Sequence, residues 1–279
     1  MAIDSQLSAG TATPPKAQVP KGKTEVKILM IHGTSVPMPE INTARYTQSG
    51  ALFRAKTRAL EKLLAKVLSP VSLHPTLIYP TGPNRLLPRD IPGFVPKEDG
   101  DDDEQGDSWA WFRKDEASGQ YRLFDKGMDT IATAIRESGG VDGVVGFSQG
   151  GFMAGAVASA LEETRAPPEG PDGDWARKLR EANGGKGLKF AVPYSGFFAP
   201  VESLQWLYEP KIKTPTLHYL GSLDTVVEES RSMGLVDRCE QPVVITHPGG
   251  HHVPVSKEWV MPLAGFIKQH AEVKPQAGL

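Results

Sequence analysis

Short apolar runs alternate with longer amphipathic stretches along most of the chain, and this alternation restricts the fold more than any other feature. An apolar run at 25–31 is followed by a helical pattern at 52–68 and by a second apolar run at 76–80. Short apolar runs predict buried strands, whereas apolar residues at a 3.6-residue spacing predict helices. Repeated strand and helix signals indicate an α/β fold, with a mostly parallel central sheet and helices on both faces.

The same pattern continues to the end of the chain. A helix is predicted to close at Gly139 and Gly140, a strand to cover 141–147, and a helix of small residues to cover 149–163. Pro262 lies inside the last predicted helix, where proline is expected to bend or break it. Three more strands and the last helix are predicted at 189–197, 214–221, 241–249 and 256–270.

No change in composition divides the chain, so we expect a single domain over residues 25–271. Residues 1–24 are rich in Pro, Ser, Thr and Lys and are expected to form a disordered tail, and residues 272–279 a second tail. Two insertions without a regular pattern are expected at about 80–120 and 165–187. The first contains an acidic run around Asp101, and the second is expected to be a surface excursion with one short helix.

Charge and cysteine content exclude several classes of protein. The chain has 31 basic and 33 acidic residues, which argues against a nucleic-acid partner. No apolar run approaches the about 18 residues that cross a membrane, so no membrane partner is expected. The single cysteine, Cys239, excludes an internal disulfide, and together with the lack of an N-glycosylation acceptor it favours a cytoplasmic location. Cys239 is expected to have a packing or surface role, and nothing indicates an oligomeric state.

The segment "VVGFSQGGFMAGAVAS", residues 144–159, places Ser148 between Gly146 and Gly150. A Gly-x-Ser-x-Gly pentapeptide alone is weak evidence, because it also occurs in ordinary loops. Here a predicted strand precedes it and a small-residue helix follows it. That context predicts a nucleophile elbow, a sharp strand-to-helix turn that exposes the serine hydroxyl.

A serine nucleophile needs a base, and the base is expected in the glycine-rich loop after the last strand. His251 and His252 both follow Gly249 and Gly250 there, and both remain candidates. His247 lies at the strand end and is expected to be structural. A metal site is the rival interpretation, but no acidic residue lies among these histidines and no His-Glu-x-x-His motif occurs. We therefore expect neither a metal nor a cofactor.

The acid that orients the base is expected between the serine and the histidine in the sequence. Asp224 is the only candidate at the carboxyl end of a predicted strand. Glu228 and Glu229 begin the next helix, where solvent is their expected environment. The order is therefore Ser148, Asp224 and then a histidine.

The oxyanion hole needs two backbone N–H groups. One is expected from Gln149, the residue after the nucleophile, whose side chain is expected to matter little. The other is expected from the loop after the first strand, where Thr34 is the first choice and Gly33 and Ser35 are alternatives. His32 is expected to shape this loop.

Several segments together resemble the fungal-type serine hydrolase (FSH) family of the α/β-hydrolase superfamily. They appear in the family order between Val26 and Ile267, although the loop from His32 to Phe53 is longer than is usual there. The resembling segments are "ILMIHG", "FRAKTRALEKLL", "LIYPTGP", "DIPGF", "SWAWF", "VDGVVGFSQGGFMA", "KFAVPYSGF", "TPTLHYLGSLDTVV" and "HPGGHHVP".

The resemblance implies a Ser148–Asp224–His251 triad, with His252 where the family usually has an aromatic or apolar residue. It also implies cleavage of carboxylic esters or acyl thioesters, because family members act on these. The partner is then a small-molecule or carrier-bound acyl substrate. Several fungal relatives release a polyketide-type acyl chain from its carrier protein, a role in secondary metabolism.

Large apolar side chains in the loops at the catalytic edge are candidates for an acyl groove. For each of them, packing of a loop onto the core is an equally strong interpretation. Ser195 is not expected to be a second nucleophile, because no elbow helix follows it. The groove candidates are Phe94, Trp109, Trp111, Phe112, Phe197, Phe198, Trp206 and Leu223.

Three other functions remain as alternatives. One is a catalytically silent α/β-hydrolase fold that serves as a binding module, and another is a short-chain carboxylesterase without a biosynthetic role. A nucleotide-binding protein is the third. It is disfavoured because the sequence contains neither Gly-x-Gly-x-x-Gly nor Gly-x-x-x-x-Gly-Lys-[Ser/Thr].

Overall fold

Six parallel strands form the central sheet of the computed structural model, which describes residues 19–34, 49–86, 108–115 and 117–271. In chain order the strands are β1 (Thr24–Ile31), β2 (Leu73–Ile78), β3 (Asn84–Arg85), β4 (Trp109–Ala110), β5 (Arg113–Lys114), β6 (Tyr121–Arg122), β7 (Gly143–Phe147), β8 (Phe190–Tyr194), β9 (Thr216–Gly221) and β10 (Pro242–His247). The large sheet has the order β10-β9-β8-β7-β1-β2, and β3–β4 and β5–β6 are small antiparallel pairs.

Seven α-helices flank the sheet in the part of the chain that the structure describes, together with 3₁₀ helices at Ser69–Val71 and Glu202–Leu207. The α-helices are α1 (Gly50–Lys56), α2 (Arg58–Leu68), α3 (Phe124–Ser138), α4 (Gln149–Ala160), α5 (Pro171–Ala182), α6 (Glu229–Val236) and α7 (Lys257–Ala271). None of these described helices is both long and apolar enough to cross a membrane.

Side chains alternate along each central strand and so feed two separate cores. In β1, Leu29 and Ile31 pack with α3, α4 and α5, whereas Ile28 and Met30 pack with α2 and α7. Strands with both faces covered are expected to be apolar, and residues 28–31 of β1 and all of β7 are continuous apolar runs. The predicted parallel sheet with helices on both faces is confirmed.

The helix α4 lies in the centre of one face and is buried along nearly its whole length. Its glycines and alanines allow it to approach β7 and β8 closely. Gly155 faces α6, where an added Cβ would lie 3.2 Å from Leu235 Cδ1. The residue before this helix is Ser148, so the nucleophile candidate is attached directly to a well-packed helix.

Three predicted elements differ in detail. The helix predicted at 52–68 is two helices, divided at Thr57, whose hydroxyl donates to Phe53 O at 2.8 Å. The strand predicted at 76–80 starts earlier, at Leu73. It can include Pro75 because β2 is an edge strand, where the missing backbone N–H of proline costs the sheet no hydrogen bond. Of the bend or break expected at Pro262, the break does not occur, because α7 runs through this residue.

The segment 165–187 was expected to be a surface excursion, and this is wrong for its helix. In α5, Trp175 and Leu179 are buried and belong to the core that covers α3 and α4. The ring of Trp175 meets that of Phe124 edge-on, with centroids 5.3 Å apart. Most of the first insertion, including the acidic run at Asp101, lies outside the described residues.

Cys239 has the packing role that was one of its two expected roles. The residue is buried, and its Sγ lies 3.6 Å from Nε2 of the buried His218. Burial raises the pKa of Cys239 to about 11, with a smaller contribution from Glu162, and this keeps the thiol protonated at neutral pH.

Candidate active site

Ser148 occupies a strained turn between β7 and α4. Its φ of 55° and ψ of −116° lie in a region that residues other than glycine rarely adopt. The backbone N–H of Ser148 donates to Tyr194 O at 2.8 Å. An added Cβ on Gly146 would lie 1.9 Å from Gly150 O, and one on Gly150 would lie 2.1 Å from Ile31 O. The two flanking glycines are therefore required by the close approach of strand and helix.

Asp224 follows β9, and four donors surround its carboxylate. Oδ1 accepts from the backbone N–H groups of Val226 and Val227, both at 2.9 Å. Oδ2 accepts from the Ser195 hydroxyl at 2.8 Å and lies 2.8 Å from His251 Nδ1. Burial by itself raises the pKa of Asp224, but the hydrogen bonds and the charge of His251 outweigh it and hold that pKa well below its usual range. The side chain is 4% exposed and is a carboxylate at neutral pH.

The loop that contains His251 is joined to the Asp224 loop by backbone hydrogen bonds. Ser222 N–H donates to His247 O at 2.9 Å, and Leu223 N–H donates to Gly249 O at 3.1 Å. An added Cβ on Gly221 would lie 2.5 Å from Gly249 O, so the two loops touch along their backbones. These contacts fix the separation of acid and base.

The imidazole of His251 is oriented on both sides. Its Nδ1 faces Asp224, and its ring packs on Phe147, the residue before the nucleophile candidate, with centroids 4.7 Å apart. Its Nε2 is buried and has no hydrogen-bond partner among the residues that the structure describes. With Nδ1 donating to Asp224, Nε2 carries the lone pair that a general base needs.

The other two histidines of the loop are placed differently. His252 is exposed and meets His247 edge-on, with centroids 5.0 Å apart. His247 is buried, its Nδ1 accepts from Gly249 N–H at 3.2 Å, and burial lowers its pKa. Of the two base candidates that the sequence leaves open, the structure pairs His251 with Asp224.

The loop after β1 passes directly over the elbow. An added Cβ on Gly33 would lie 3.0 Å from Ser148 Cβ and from Phe147 O. Thr34 follows Gly33 and is the last described residue of this loop, and the alternative donor Ser35 lies outside the described residues. Gln149 is the first residue of α4, so its backbone N–H has no acceptor within the helix. Gln149 thus follows Ser148 directly, and Thr34 follows the glycine that approaches Ser148.

The Gln149 side chain has more contacts than the sequence suggested. Its Oε1 accepts from the Thr34 hydroxyl and from Trp111 N–H, both at 2.7 Å. Its Nε2 donates to Phe112 O at 3.0 Å. These contacts give the side chain a structural role that the sequence did not predict. The amide joins the oxyanion loop to the segment that contains β4.

His32 shapes the oxyanion loop, as expected. The side chain is buried, and its Nε2 accepts from Gly82 N–H at 2.9 Å. Its Nδ1 therefore carries the proton and donates to Gly33 O at 2.8 Å. Trp111 Nε1–H donates to His32 O at 2.8 Å. Both ring nitrogens are used in the neutral form, so His32 has no free nitrogen for base catalysis.

Three of the proposed groove residues belong to the buried core, which favours the packing interpretation over the groove for each of them. Trp111 is fully buried, and Phe112 stacks on Tyr121 with centroids 4.3 Å apart. Phe197 is buried and stacks on Phe152 at 5.5 Å. Large aromatic side chains suit a core as well as a groove, and here the core contacts prevail.

The remaining candidates have mixed positions. Phe198 is partly buried under the Arg238 guanidinium, whose Cζ lies 3.3 Å from the ring centroid, and Trp206 packs on the Trp175 ring. Trp109 is half-buried in β4. Leu223 is 68% exposed and lies next to Asp224, so it is the candidate best placed at a substrate entrance. Phe94 lies outside the described residues.

Ser195 is a site residue that the sequence interpretation missed. Its hydroxyl donates to the same carboxylate oxygen that His251 contacts. One signal could have identified it, because a serine directly after the strand beside the elbow strand lies at the catalytic edge of the sheet.

Among the described residues, no group of three His, Cys, Asp or Glu side chains is arranged to hold a metal ion.

Comparison with known proteins finds related sequences that match most of the chain. A family model described as serine hydrolase (FSH1) matches residues 21–263. Family of serine hydrolases 2 from Saccharomyces cerevisiae is 30% identical over 254 residues, covering 87% of this chain and 97% of that protein. Esterase OVCA2 from Danio rerio is 27% identical over 260 residues, covering 88% of this chain and 97% of that protein.

Solved structures show the same fold. The crystal structure of Zea mays acyl-protein thioesterase 2 superimposes with a TM-score of 0.54 at 18% sequence identity. The match covers 91% of this chain and 96% of that one. The crystal structure of Arabidopsis thaliana SOBER1 matches with a TM-score of 0.53 at 16% identity, over 89% of this chain and 100% of that one.

Proposed function

The chain belongs to the serine hydrolase (FSH1) family, and from this membership we propose that it cleaves carboxylic esters or acyl thioesters through a triad of Ser148, His251 and Asp224. The predicted family and α/β-hydrolase fold are confirmed, and the chain is an enzyme, a serine hydrolase. The alternative of a catalytically silent binding module is therefore not retained.

One observation carries the assignment of the three residues. Asp224 Oδ2 lies 2.8 Å from His251 Nδ1, and the His251 ring packs on Phe147, beside the strained Ser148. A serine hydroxyl is a weak nucleophile at neutral pH unless a base accepts its proton and an acid orients that base. The geometry supports the assignment, because His251 and Asp224 come from separate loops at one edge of the sheet and are in hydrogen-bond contact.

In the proposed acylation step, Ser148 Oγ attacks the carbonyl carbon and its proton passes to His251 Nε2. Asp224 stabilises the imidazolium and keeps its own negative charge. The tetrahedral intermediate then collapses, and the C–O or C–S bond breaks as His251 returns the proton to the leaving alkoxide or thiolate. The product of this half-reaction is an acyl ester of Ser148.

The negative oxygen of the intermediate needs fixed donors. We assign these to the backbone N–H groups of Gln149 and Thr34, supported by the close approach of Gly33 to Ser148. Water completes the cycle when His251 removes its proton and the hydroxide attacks the acyl-enzyme. This step releases a carboxylic acid and restores the Ser148 hydroxyl.

The substrate is an acyl group on oxygen or sulfur, since the same tetrahedral chemistry serves both. The finer proposal is that the acyl chain is of polyketide type and is carried on a partner protein, as the family resemblance implies. A general short-chain carboxylesterase is the alternative. The exposed Leu223 beside Asp224 supports an apolar contact with substrate at the entrance.

Covalent labelling by a fluorophosphonate probe tests the nucleophile. We expect the parent protein to be labelled and Ser148→Ala to be unlabelled, because only an activated serine reacts with such a probe. Ser230→Ala provides a matched control, since it removes an exposed serine hydroxyl from α6, outside the proposed site. Esterase activity at the parent level in Ser148→Ala would contradict the proposed triad.

A matched series of p-nitrophenyl esters and acyl thioesters tests the substrate class. A preference for long acyl thioesters supports release of a carrier-bound chain. A preference for acetyl and butyryl esters supports the short-chain carboxylesterase alternative.

A further inference from the structure

Ser195 lies at the middle of the catalytic edge. It directly follows β8, the strand between β7 and β9, which carry the nucleophile and the acid. The residue is buried, and its backbone φ of 44° is unusual for a residue other than glycine. Its backbone N–H donates to Tyr219 O at 2.8 Å. Such a conformation persists only where surrounding contacts impose it.

Two consecutive residues connect the nucleophile to the acid: Tyr194 contacts Ser148, and Ser195 contacts Asp224. The carbonyl of Tyr194 accepts from Ser148 N–H at 2.8 Å. The hydroxyl of Ser195 donates to Asp224 Oδ2 at 2.8 Å. The turn after β8 therefore fixes the position of Asp224 relative to Ser148 through one peptide unit.

This turn is packed tightly against the start of α4. An added Cβ on Gly151 would lie 2.7 Å from Gly196 Cα, and one on Gly196 would lie 2.7 Å from Pro193 Cβ. No side chain fits at either glycine, so the turn and the start of α4 lie against each other along their backbones. The Ser195 hydroxyl is therefore presented from a fixed backbone.

The hydroxyl acts on the carboxylate oxygen that faces the base. Two backbone N–H groups already hold Oδ1 of Asp224, and they leave rotation of Oδ2 as the remaining freedom. Ser195 removes that freedom, since its hydrogen bond and the His251 contact meet on Oδ2. The direction of the His251 hydrogen bond depends on where Oδ2 lies.

The geometry points to Ser195 as a positioning residue of this hydrolase, which fixes Asp224 Oδ2 so that His251 presents Nε2 to Ser148. The inference rests on the proposed triad and adds a fourth side chain to it. Ser195 does not touch the reacting atoms and acts through Asp224. The hydrogen bond to a charged acceptor is of the stronger kind, which is why its loss should be measurable.

Removal of the hydroxyl is the direct test. We expect Ser195→Ala to lower kcat about tenfold with KM unchanged, as loss of a hydrogen bond to a charged group that is needed in the transition state. The fluorophosphonate labelling rate should fall by a similar factor. Ser195→Gly removes the same hydroxyl while it tolerates the positive φ, so its loss should match that of Ser195→Ala. Ser230→Ala, which removes an exposed hydroxyl from α6, is the matched control and should keep the parent kcat.

A double-mutant cycle separates positioning from general structural support. In an Asp224→Ala background we expect Ser195→Ala to cause no further loss of labelling rate, because the hydroxyl has lost its partner. A further tenfold loss in that background would overturn the inference, and so would a parent-level kcat in both Ser195→Ala and Ser195→Gly.

The triad itself is tested independently in the same assay. If Ser148→Ala still reacts with the probe, the proposed function fails. If Ser148→Ala is unlabelled while both Ser195 variants react at the parent rate, only the inference about Ser195 fails.

Discussion

Ser148 is held between two groups of residues that differ in the kind of interaction they use. The acid–base side consists of Ser195, Asp224 and His251, and its hydrogen bonds meet on one buried carboxylate. The oxyanion side consists of Thr34, Gln149 and the Trp111–Phe112 segment, and its hydrogen bonds meet on one neutral amide. Charge is concentrated on the first side and absent from the second.

The difference shows how each side can fail. Loss of a buried charge removes both the orientation of His251 and the compensation for its positive form, so its effect should be large and dependent on pH. Loss of a neutral amide leaves the backbone donors present but less well fixed, so its effect should be smaller and independent of pH.

The largest expected effect is that of Asp224→Asn. The variant keeps the shape of the side chain but loses the charge and stabilises the wrong imidazole tautomer, so kcat should fall about 10³- to 10⁴-fold. Steady-state kinetics with a p-nitrophenyl ester measure this, and KM should change little. Glu228→Gln is the matched control, because Glu228 is an exposed acid in the same loop. A loss below tenfold in Asp224→Asn would remove Asp224 from the triad.

An intermediate effect is expected for Gln149→Ala. The variant removes three hydrogen bonds that join the oxyanion loop to the β4 segment but keeps the Gln149 backbone N–H. We expect kcat to fall about tenfold, less than the loss of an oxyanion donor itself. Labelling should persist, in contrast to Ser148→Ala.

Thr34→Val provides a graded control for Gln149→Ala. It removes only one of the three hydrogen bonds and preserves side-chain shape, so its effect should be about threefold. A parent-level kcat in Gln149→Ala would show that the backbone alone fixes the oxyanion loop.

The smallest expected effect is a difference in acid stability between the two sides. The pKa of Asp224 is held below its usual range, so this group stabilises the fold fully above the unfolded-state pKa of about 3.9 and loses that contribution as pH falls towards the lower folded value. Urea unfolding at several pH values between 7 and 3 should therefore show the advantage of the parent over Asp224→Asn shrinking below about pH 4. The difference in free energy of unfolding between the parent and Gln149→Ala should stay constant over the same pH range. If the difference for Asp224→Asn stayed constant as well, Asp224 would contribute no pH-dependent stability.

Much of the fold follows from local pattern, because each strand and helix needs only its own periodicity and its own glycines. Gly146 and Gly150 mark the elbow since an added Cβ would meet backbone within the same turn or in β1. Asp224 and His251 could be selected from their place after strands, since parallel strands bring their carboxyl ends to one edge.

The details that the sequence did not predict depend on contacts between distant residues. The Gln149 amide forms hydrogen bonds with residues 34 and 111–112, and the Ser195 hydroxyl donates to Asp224, which is 29 residues away in the sequence. Whether Trp111 lines a groove or fills a core depends on the packing of α3 and α4, which hydrophobicity alone does not determine. The continuity of α7 through Pro262 likewise depends on tertiary packing rather than on helix propensity.

The closeness of Gly150 to β1 has a consequence for protein engineering. Since an added Cβ would lie 2.1 Å from Ile31 O at Gly150 and 1.9 Å from Gly150 O at Gly146, positions 146 and 150 accept no other amino acid without moving β1 or α4. A library designed to change substrate preference should keep both glycines constant and randomise the exposed Leu223 together with Trp109. Substitutions at these two positions are expected to change substrate preference, while the residues that activate Ser148 stay the same in every variant.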